Sequence, residues 1–162
     1  MNEGIKLLIV DDEVEFLDTI AERLESRGFL VTKATDGEKA LAAVNHDRFD
    51  LALVDLRMPG MDGSKLLEIL KSEHRFLEVI ILTGHSSVEA AVECTKLGAF
   101  DFLVKPYDLE KLLEVLRHAY EARLRRKFEH DQQRLQKLAE LATGATPLSI
   151  LEELRKMDDG VK

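Results

Sequence analysis

Five residues of types suited to phosphate chemistry lie just after short apolar segments: Asp11, Asp12, Asp55, Thr83 and Lys105. Clustered carboxylates repel one another, so three neighbouring aspartates need a proton or a cation among them. Oxygen donors favour a hard ion, and Mg²⁺ is commonly held by one or two carboxylates and several waters. A lysine and a hydroxyl beside such an ion can hold an anion. The set therefore indicates phosphoryl transfer, with Asp55 as the candidate nucleophile.

The apolar residues of segment 1–106 alternate between short continuous runs and helical spacing, and this alternation predicts five β-α units. The predicted strands are Ile5–Val10, Phe29–Ala34, Leu51–Val54, Val79–Leu82 and Phe100–Val104. Such units form a doubly wound α/β fold, a parallel sheet covered by helices on both faces. Ligands of these folds bind beyond the carboxyl ends of the strands, where the five polar residues are expected to converge.

Each of these polar residues also has an ordinary explanation when it is taken alone. Asp11 or Asp12 can cap the following helix, because aspartate is a favoured N-cap residue. Thr83 can cap a helix that starts near Ser86, and Lys105 can be a solvated loop residue. Their joint placement at four of the five strand ends favours one shared site over these separate explanations.

Composition limits the class of protein. The chain has 162 residues, 45% of them hydrophobic, which suits one core rather than two full domains. Its net charge of −8 argues against general nucleic-acid binding, and residues 107–162 contribute nothing to that charge. The single cysteine, Cys94, excludes an internal disulfide and a Cys-rich zinc site. Short apolar runs and the lack of a signal sequence predict a cytoplasmic protein without membrane contact.

Four stretches resemble the receiver domain of bacterial two-component response regulators: LLIVDDE at 7–13, LVDLRMPGMDG at 53–63, VIILTGH at 79–85 and GAFDFLVKP at 98–106. Their order, their spacing and their positions at strand ends all fit that family. The resemblance covers about two thirds of the chain. It implies a flavodoxin-like, doubly wound sheet of five parallel strands in the order 2-1-3-4-5, here with a long C-terminal helical extension.

The resemblance implies that Asp55 is the phosphoacceptor. Its phosphoryl group would come from a sensor histidine kinase, a phosphotransfer protein or a small phosphodonor. Asp11 and Asp12 match the acidic pair that holds Mg²⁺, together with Asp55 and the backbone carbonyl of Arg57. The only enzymatic activity implied is the receiver's own phosphorylation and dephosphorylation.

A conformational switch is implied as well. Thr83 matches a hydroxyl that moves towards the phosphoryl group, and Lys105 matches the residue that pairs with a phosphoryl oxygen. The peptide bond after Lys105 is typically cis in the family. Phe102 matches an aromatic switch residue that can turn into the space that Thr83 vacates. Arg57 and His85 are expected to flank the path of attacking water, so they are candidates for tuning the phosphoryl lifetime.

The composition of the last third of the chain predicts a long helix. Residues 108–142 contain no proline or glycine, and one helix of that length extends over roughly 50 Å. Its first part can pack on the sheet as the fifth helix. The receiver domain is therefore expected at 1–120 and a helical extension at 121–162.

Part of this extension has the spacing of a short coiled coil that reaches about residue 142. The seam, at 4-3-4-3-4 spacing, consists of Leu124, Phe128, Asp131, Leu135, Leu138 and Ala142. It indicates a homodimer formed through the C-terminal helix. The basic stretch Arg117–Lys127 is expected to be a solvated helix face. A short terminal helix is expected to begin at Pro147, with Thr146 as its cap.

The leading hypothesis is a phosphorylation-dependent signalling switch that acts through protein–protein contacts or dimerisation. Two alternatives stay open: an N-terminal regulatory fragment of a longer transcription regulator, and a phosphorelay intermediate without its own output. A Mg²⁺-dependent aspartyl phosphatase of the haloacid-dehalogenase type is disfavoured, because such enzymes carry a second aspartate two residues after the nucleophile. Here Leu56 and Arg57 follow Asp55. Direct binding of this chain to nucleic acid is not expected.

Overall fold

The computed structural model describes residues 4–144 and 146–159, and its centre is a five-stranded parallel sheet. The strands are β1 (Lys6–Val10), β2 (Leu30–Ala34), β3 (Leu51–Val54), β4 (Glu78–Thr83) and β5 (Asp101–Val104). They lie in the order β2-β1-β3-β4-β5, and all neighbours pair in parallel. The strand order is as expected, and each strand end lies within one residue of its predicted position.

Helices cover both faces of the sheet. They are α1 (Val14–Glu25), α2 (Gly37–His46), α3 (Gly63–Glu73), α4 (Val88–Lys96), α5 (Leu109–Ala142) and α6 (Pro147–Asp159). Leu7 and Ile9 of β1 belong to a core shared with α1 and α5. Leu8 and Val10 belong to the opposite core, shared with α2, α3 and α4. Burial on both faces explains why Leu7–Val10 of β1 is a continuous apolar run in the sequence.

Helix α5 is one helix of 34 residues, as the absence of proline and glycine predicts. Its first part packs into the core through Leu112, Leu116 and Ala119, all fully buried. The same helix then continues past the amino-terminal edge of the sheet, the edge at which β3 and β4 begin. The chemistry-bearing strand ends lie at the other edge.

Two arginines of α5 contact the amino-terminal edge of the sheet. Arg123 pairs with Asp50, which precedes β3, at 3.3 Å. Arg126 pairs with Glu78, the buried first residue of β4. The expectation that Arg117–Lys127 is a solvated face is therefore wrong for Arg123, whose side chain is only 14% exposed. These ion pairs hold the start of the expected extension, residues 121–162, against the edge of the sheet.

The rest of the extension forms a helical hairpin. The ring of His130 lies edge-on to Phe76, with centroids 5.4 Å apart. Helix α6 begins at Pro147, as predicted, and folds back on α5, where Lys137 and Glu153 pair at 3.2 Å. Within 4–144 and 146–159, no helix has the length and hydropathy needed to span a membrane.

Candidate functional site

The three aspartates of the sequence analysis meet at the carboxyl edge of the sheet. Asp11 and Asp12 follow β1, and Asp55 follows β3, which pairs directly with β1. One carboxylate oxygen from each residue lies within 4.8 Å of the others. Asp11 and Asp55 are buried, whereas Asp12 is exposed to solvent. Like charges that are this close and partly desolvated repel strongly, so the cluster attracts a cation.

Lys105, which follows β5, brings one positive charge into this cluster. Its Nζ donates a 2.6 Å hydrogen bond to Asp11 and lies 3.7 Å from Glu13 and 4.0 Å from Asp55. The same Nζ lies 3.9 Å from the ring centroid of Phe16, a cation–π contact. The ammonium is thus mostly buried and paired, and the alternative of a solvated loop lysine is wrong. The peptide bond after Lys105 is cis.

Asp55 has one buried carboxylate oxygen without a donor in the described part of the chain. Among the residues that the structure describes, no donor bonds its buried Oδ1. Burial raises the pKa of the Asp55 carboxyl, and the opposing effects of the Thr83 hydroxyl and the Lys105 ammonium do not offset it. A buried carboxylate oxygen without a donor is suited to a cation, and the three acids offer the oxygen donors that Mg²⁺ prefers. The residues present therefore fit a magnesium ion.

Thr83 ends β4 at the same edge and is fully buried. Its Oγ1 accepts a hydrogen bond from the backbone N–H of His85 at 3.1 Å. Helix α4 is capped instead by Ser87, whose Oγ accepts the N–H of Ala90 at 3.0 Å. The alternative that Thr83 is only a helix cap is therefore wrong, and its hydroxyl lies beside the acidic cluster.

The turn after β1 also differs from a simple helix cap. Glu13 occupies the N-cap position of α1, and its side chain makes no capping hydrogen bond. Asp11 Oδ1 accepts the backbone N–H of Glu13 at 2.9 Å, which holds the turn in shape. Asp12 is not the cap, and its exposed carboxylate is left facing the site.

The remaining residues from the sequence analysis surround this edge. Phe102 on β5 is half-buried and packs against the core that includes α2, α3 and α4. Arg57 and His85 are exposed in the loops after β3 and β4. They follow Asp55 and Thr83 by two residues each in the sequence.

Sequence reasoning missed Gly63, the first residue of α3. Its backbone N–H donates to the Leu56 carbonyl at 2.7 Å. A Cβ at this position would lie 2.1 Å from the Asp55 carbonyl oxygen, so only glycine permits the approach. The signal in the sequence that could have identified it is a glycine as the first residue of a helix, directly after Met61 and Asp62. The contacts of Glu13 and Phe16 with Lys105 were also missed, because these residues are far apart in the sequence.

Known proteins resemble the chain in sequence. The response regulator receiver domain family matches residues 7–117. The nitrogen assimilation regulatory protein NtrX of Azorhizobium caulinodans is 35% identical over 158 residues, which cover 96% of this chain and 34% of NtrX. The transcriptional regulatory protein ZraR of Salmonella typhimurium is 42% identical over 115 residues, which cover 71% of this chain and 26% of ZraR. The chain thus spans about a third or less of these relatives.

A solved structure of a receiver domain protein has a fold similar to that of this chain. The CheY-like response regulator receiver domain protein of Methanospirillum hungatei matches with a TM-score of 0.74 and 31% identity, covering 76% of this chain and 99% of that protein. The family match includes β2 to β5, all of β1 except its first residue, and the first part of α5. The strand order 2-1-3-4-5 and the flavodoxin-like fold are thereby confirmed. This chain belongs to the receiver-domain family of two-component response regulators.

Proposed function

We propose that this chain is a phosphorylation-dependent switch with Asp55 as its phosphoacceptor. The observation that carries the proposal is the buried Asp55 Oδ1, which has no donor among the described residues and lies in an acidic cluster with Lys105. A carboxylate oxygen of Asp55 bonds to the phosphorus of a phosphohistidine on a kinase or phosphotransfer protein. The phosphorus–nitrogen bond breaks, and the histidine nitrogen keeps the electron pair.

The proposed magnesium ligands are Asp11, Asp12, Asp55 and the backbone carbonyl of Arg57. When bound, Mg²⁺ supplies positive charge that offsets the carboxylates and the phosphoryl oxygens. Lys105 supplies a second charge, and its position 4.0 Å from Asp55 suits a later pairing with a phosphoryl oxygen. Desolvation of Asp11, Asp55 and Lys105 strengthens each of these interactions.

The proposed switch begins at Thr83. Its hydroxyl now accepts from the His85 backbone, and it would turn to donate to a phosphoryl oxygen. The half-buried Phe102 would then move into the vacated space and repack the surface formed by α4, β5 and α5. The exposed side chains of Arg57 and His85 are the proposed control on the access of hydrolytic water.

Mass spectrometry tests the phosphoacceptor. With Mg²⁺ and acetyl phosphate, we expect one phosphoryl adduct that hydroxylamine removes, and no adduct in Asp55→Asn. Asp18→Asn is the matched control, because Asp18 is an exposed aspartate of α1 outside the cluster. An adduct that persists in Asp55→Asn contradicts the assignment. Turnover of an external phosphoester that survives Asp55→Ala would favour the aspartyl phosphatase alternative.

For the output we propose homodimerisation through α5. Leu124, Phe128 and Leu135 of the expected seam are exposed on one face of the helix, and Asp131 adds one polar position to that face. Three large apolar side chains in line on a helix are suited to a second copy of the same seam. Leu138 is half-buried instead.

Light scattering tests the dimer. We expect Phe128→Glu to shift the full chain towards monomer, with and without beryllofluoride, because a charge in the seam opposes association. Val14→Glu is the matched control, since Val14 is an exposed apolar residue on α1. Equal masses for parent and Phe128→Glu would contradict the seam, and phosphorelay transfer would then be the favoured role.

A second candidate role is the regulatory part of a longer transcription regulator. The similarity to NtrX favours it, because that alignment covers 96% of this chain and so continues through α5. ZraR is named a transcriptional regulatory protein. Immunodetection of the native polypeptide tests this role: a mass well above 18.3 kDa is expected, and a mass equal to it would contradict the role.

A further inference from the structure

A cavity of about 110 Å³ lies at the amino-terminal edge of the sheet, opposite the acidic cluster. Its walls are the end of α2, the loops before β3 and β4, and the part of α5 that leaves the core. One ordered water needs about 10–15 Å³ of such space, so this cavity admits a group of several heavy atoms. None of the residues proposed for phosphoryl transfer lines it.

The floor of the cavity is apolar. Val44, Phe49, Phe76 and Leu77 line it, and all four are buried. Two of them are aromatic, and they come from different loops. Small-molecule sites typically combine such an apolar floor with a few polar groups that fix the orientation of the ligand.

The polar groups of this cavity are mainly cationic. Arg48, Arg123 and Lys127 line it, whereas the acid that lines it, Asp47, is already paired with Lys6 at 2.6 Å. The chain as a whole carries a net charge of −8, so this concentration of positive charge is a local exception. A cleft lined by one sign of charge raises the local concentration of ions of the opposite sign.

Arg123 provides an unused donor. Its Nη2 lies 3.3 Å from Asp50, which holds the guanidinium in place, and its side chain is mostly buried. Its Nε is buried as well and bonds no acceptor within the described part of the chain. Arginine stays protonated at any ordinary pH, so Nε–H is a permanent charged donor that calls for an acceptor.

We propose that this cavity binds a small organic anion with an apolar body and one carboxylate. The carboxylate accepts from Arg123 Nε–H, the charges of Arg48 and Lys127 add attraction, and the body of the ligand lies against Phe49 and Phe76. One free donor and an apolar floor suit a carboxylate better than inorganic phosphate, which needs several donors and offers no apolar surface.

Such a ligand bridges the two parts of the chain. Arg123 and Lys127 belong to α5, whereas Arg48 and Phe49 belong to the loop before β3. A bound anion therefore stabilises the docking of the extension on the sheet, since it binds only when both walls are together. This site does not depend on phosphorylation of Asp55, and the Asp55→Asn protein is expected to bind the same ligand.

Nuclear magnetic resonance of the full chain tests the site, with benzoate as the probe. We expect saturable shifts at Phe49, Phe76 and the Arg123 Nε–H signal. Benzamide has the same ring without the charge, and inorganic phosphate has the charge without the ring. Both are expected to bind about tenfold more weakly or not at all, because each lacks one of the two interactions.

Variants separate the proposed contacts. Arg123→Lys keeps a positive charge near Asp50 but removes Nε–H, and we expect it to weaken benzoate binding about tenfold. The exposed pair Arg48→Gln and Lys127→Gln provides a second test that leaves the core intact, with about a threefold loss expected. Arg125→Gln is the matched control, because Arg125 is an exposed arginine of α5 outside the cavity lining.

Three results would overturn the proposal. The first is a set of shifts that grows linearly with benzoate and never saturates, as expected for a cavity that holds only water. The second is equal binding of benzoate and benzamide, which would leave the cations without a role. The third is unchanged benzoate affinity in both Arg123→Lys and the Arg48 and Lys127 double variant.

Discussion

Lys105 Nζ lies 2.6 Å from an oxygen of Asp11 but 4.0 Å from an oxygen of Asp55, so the ammonium bonds the first acid and is only near the second. Asp11 is a proposed magnesium ligand, and Asp55 is the proposed phosphoacceptor. The hydrogen bond from Lys105 therefore uses an oxygen of the proposed metal site. On the proposed assignment, lysine and cation would compete for the same carboxylate, and a phosphoryl group on Asp55 would draw the lysine away.

This competition predicts opposite effects of Lys105→Gln on two steps. Mg²⁺ affinity should rise about threefold to tenfold, because a nearby positive charge is removed. Phosphorylation by acetyl phosphate should slow, since a group that pairs with a phosphoryl oxygen is lost. Calorimetry and mass spectrometry measure the two effects, with the exposed Lys33→Gln as control. Weaker Mg²⁺ binding by Lys105→Gln would contradict the competition.

The raised pKa of Asp55 predicts that its charge destabilises the metal-free fold. The native state holds the proton more tightly than the unfolded chain, whose carboxyl has the ordinary value of 3.8. The penalty is therefore absent at low pH and grows as the pH rises above about 3.8.

Asp55→Asn should accordingly melt at a higher temperature than the parent at pH 7.5 in a chelator, because the penalty for the buried charge is removed. The difference should shrink as the pH falls towards 3.8, because the native carboxyl gains its proton before the unfolded one does. Circular dichroism melts at both pH values measure it. Mg²⁺ should raise the melting temperature of the parent more than that of the variant. A variant less stable than the parent at pH 7.5 without metal would show that burial of the charge is not costly.

The close approach of Gly63 to Asp55 predicts that alanine is not tolerated there. A Cβ placed 2.1 Å from the Asp55 carbonyl oxygen forces the backbone of Asp55 and Leu56 to move. We expect Gly63→Ala to cost about 1–3 kcal/mol in unfolding free energy and to slow the phosphorylation of Asp55. Gly84→Ala is the control, because open space surrounds that position. Equal stability and equal phosphorylation of the two variants would contradict the steric argument.

The pair of Arg126 and buried Glu78 predicts how firmly α5 is docked. Arg126→Gln should cost about 1 kcal/mol, because its guanidinium is partly exposed. Glu78→Gln should cost about 2 kcal/mol, since it also leaves the mostly buried Lys71 without its carboxylate. A double-mutant cycle by urea unfolding measures the coupling, with exposed Arg125→Gln expected to change stability by less than about 0.5 kcal/mol. Additive losses would mean that the pair does not hold the helix.

The sequence by itself determined the elements and therefore the location of the candidate site. Buried strands and amphipathic helices leave a periodic pattern within one segment, and five such units place their polar ends at one edge. Gly28 and Gly98, which follow α1 and α4, adopt positive φ angles of 95° and 101°, a conformation that glycine favours at the ends of helices. The lack of proline and glycine in 108–142 likewise predicted one long helix, which α5 is. The proposed roles of the site residues and the domain boundary at 120 stay predictions.

Only the tertiary structure decided which groups touch. Arg126 and Glu78 are 48 residues apart, and Lys105 and Asp11 are 94 apart, so no local pattern pairs them. In the sequence, the basic stretch Arg117–Lys127 of α5 has the pattern of a solvated helix face. Only the tertiary structure shows that the edge of the sheet lies beside part of it. Periodicity predicts which residues of one segment are buried. Whether the Lys105 ammonium bonds Asp11 or Asp55 depends instead on distances between segments, and only packing sets those distances.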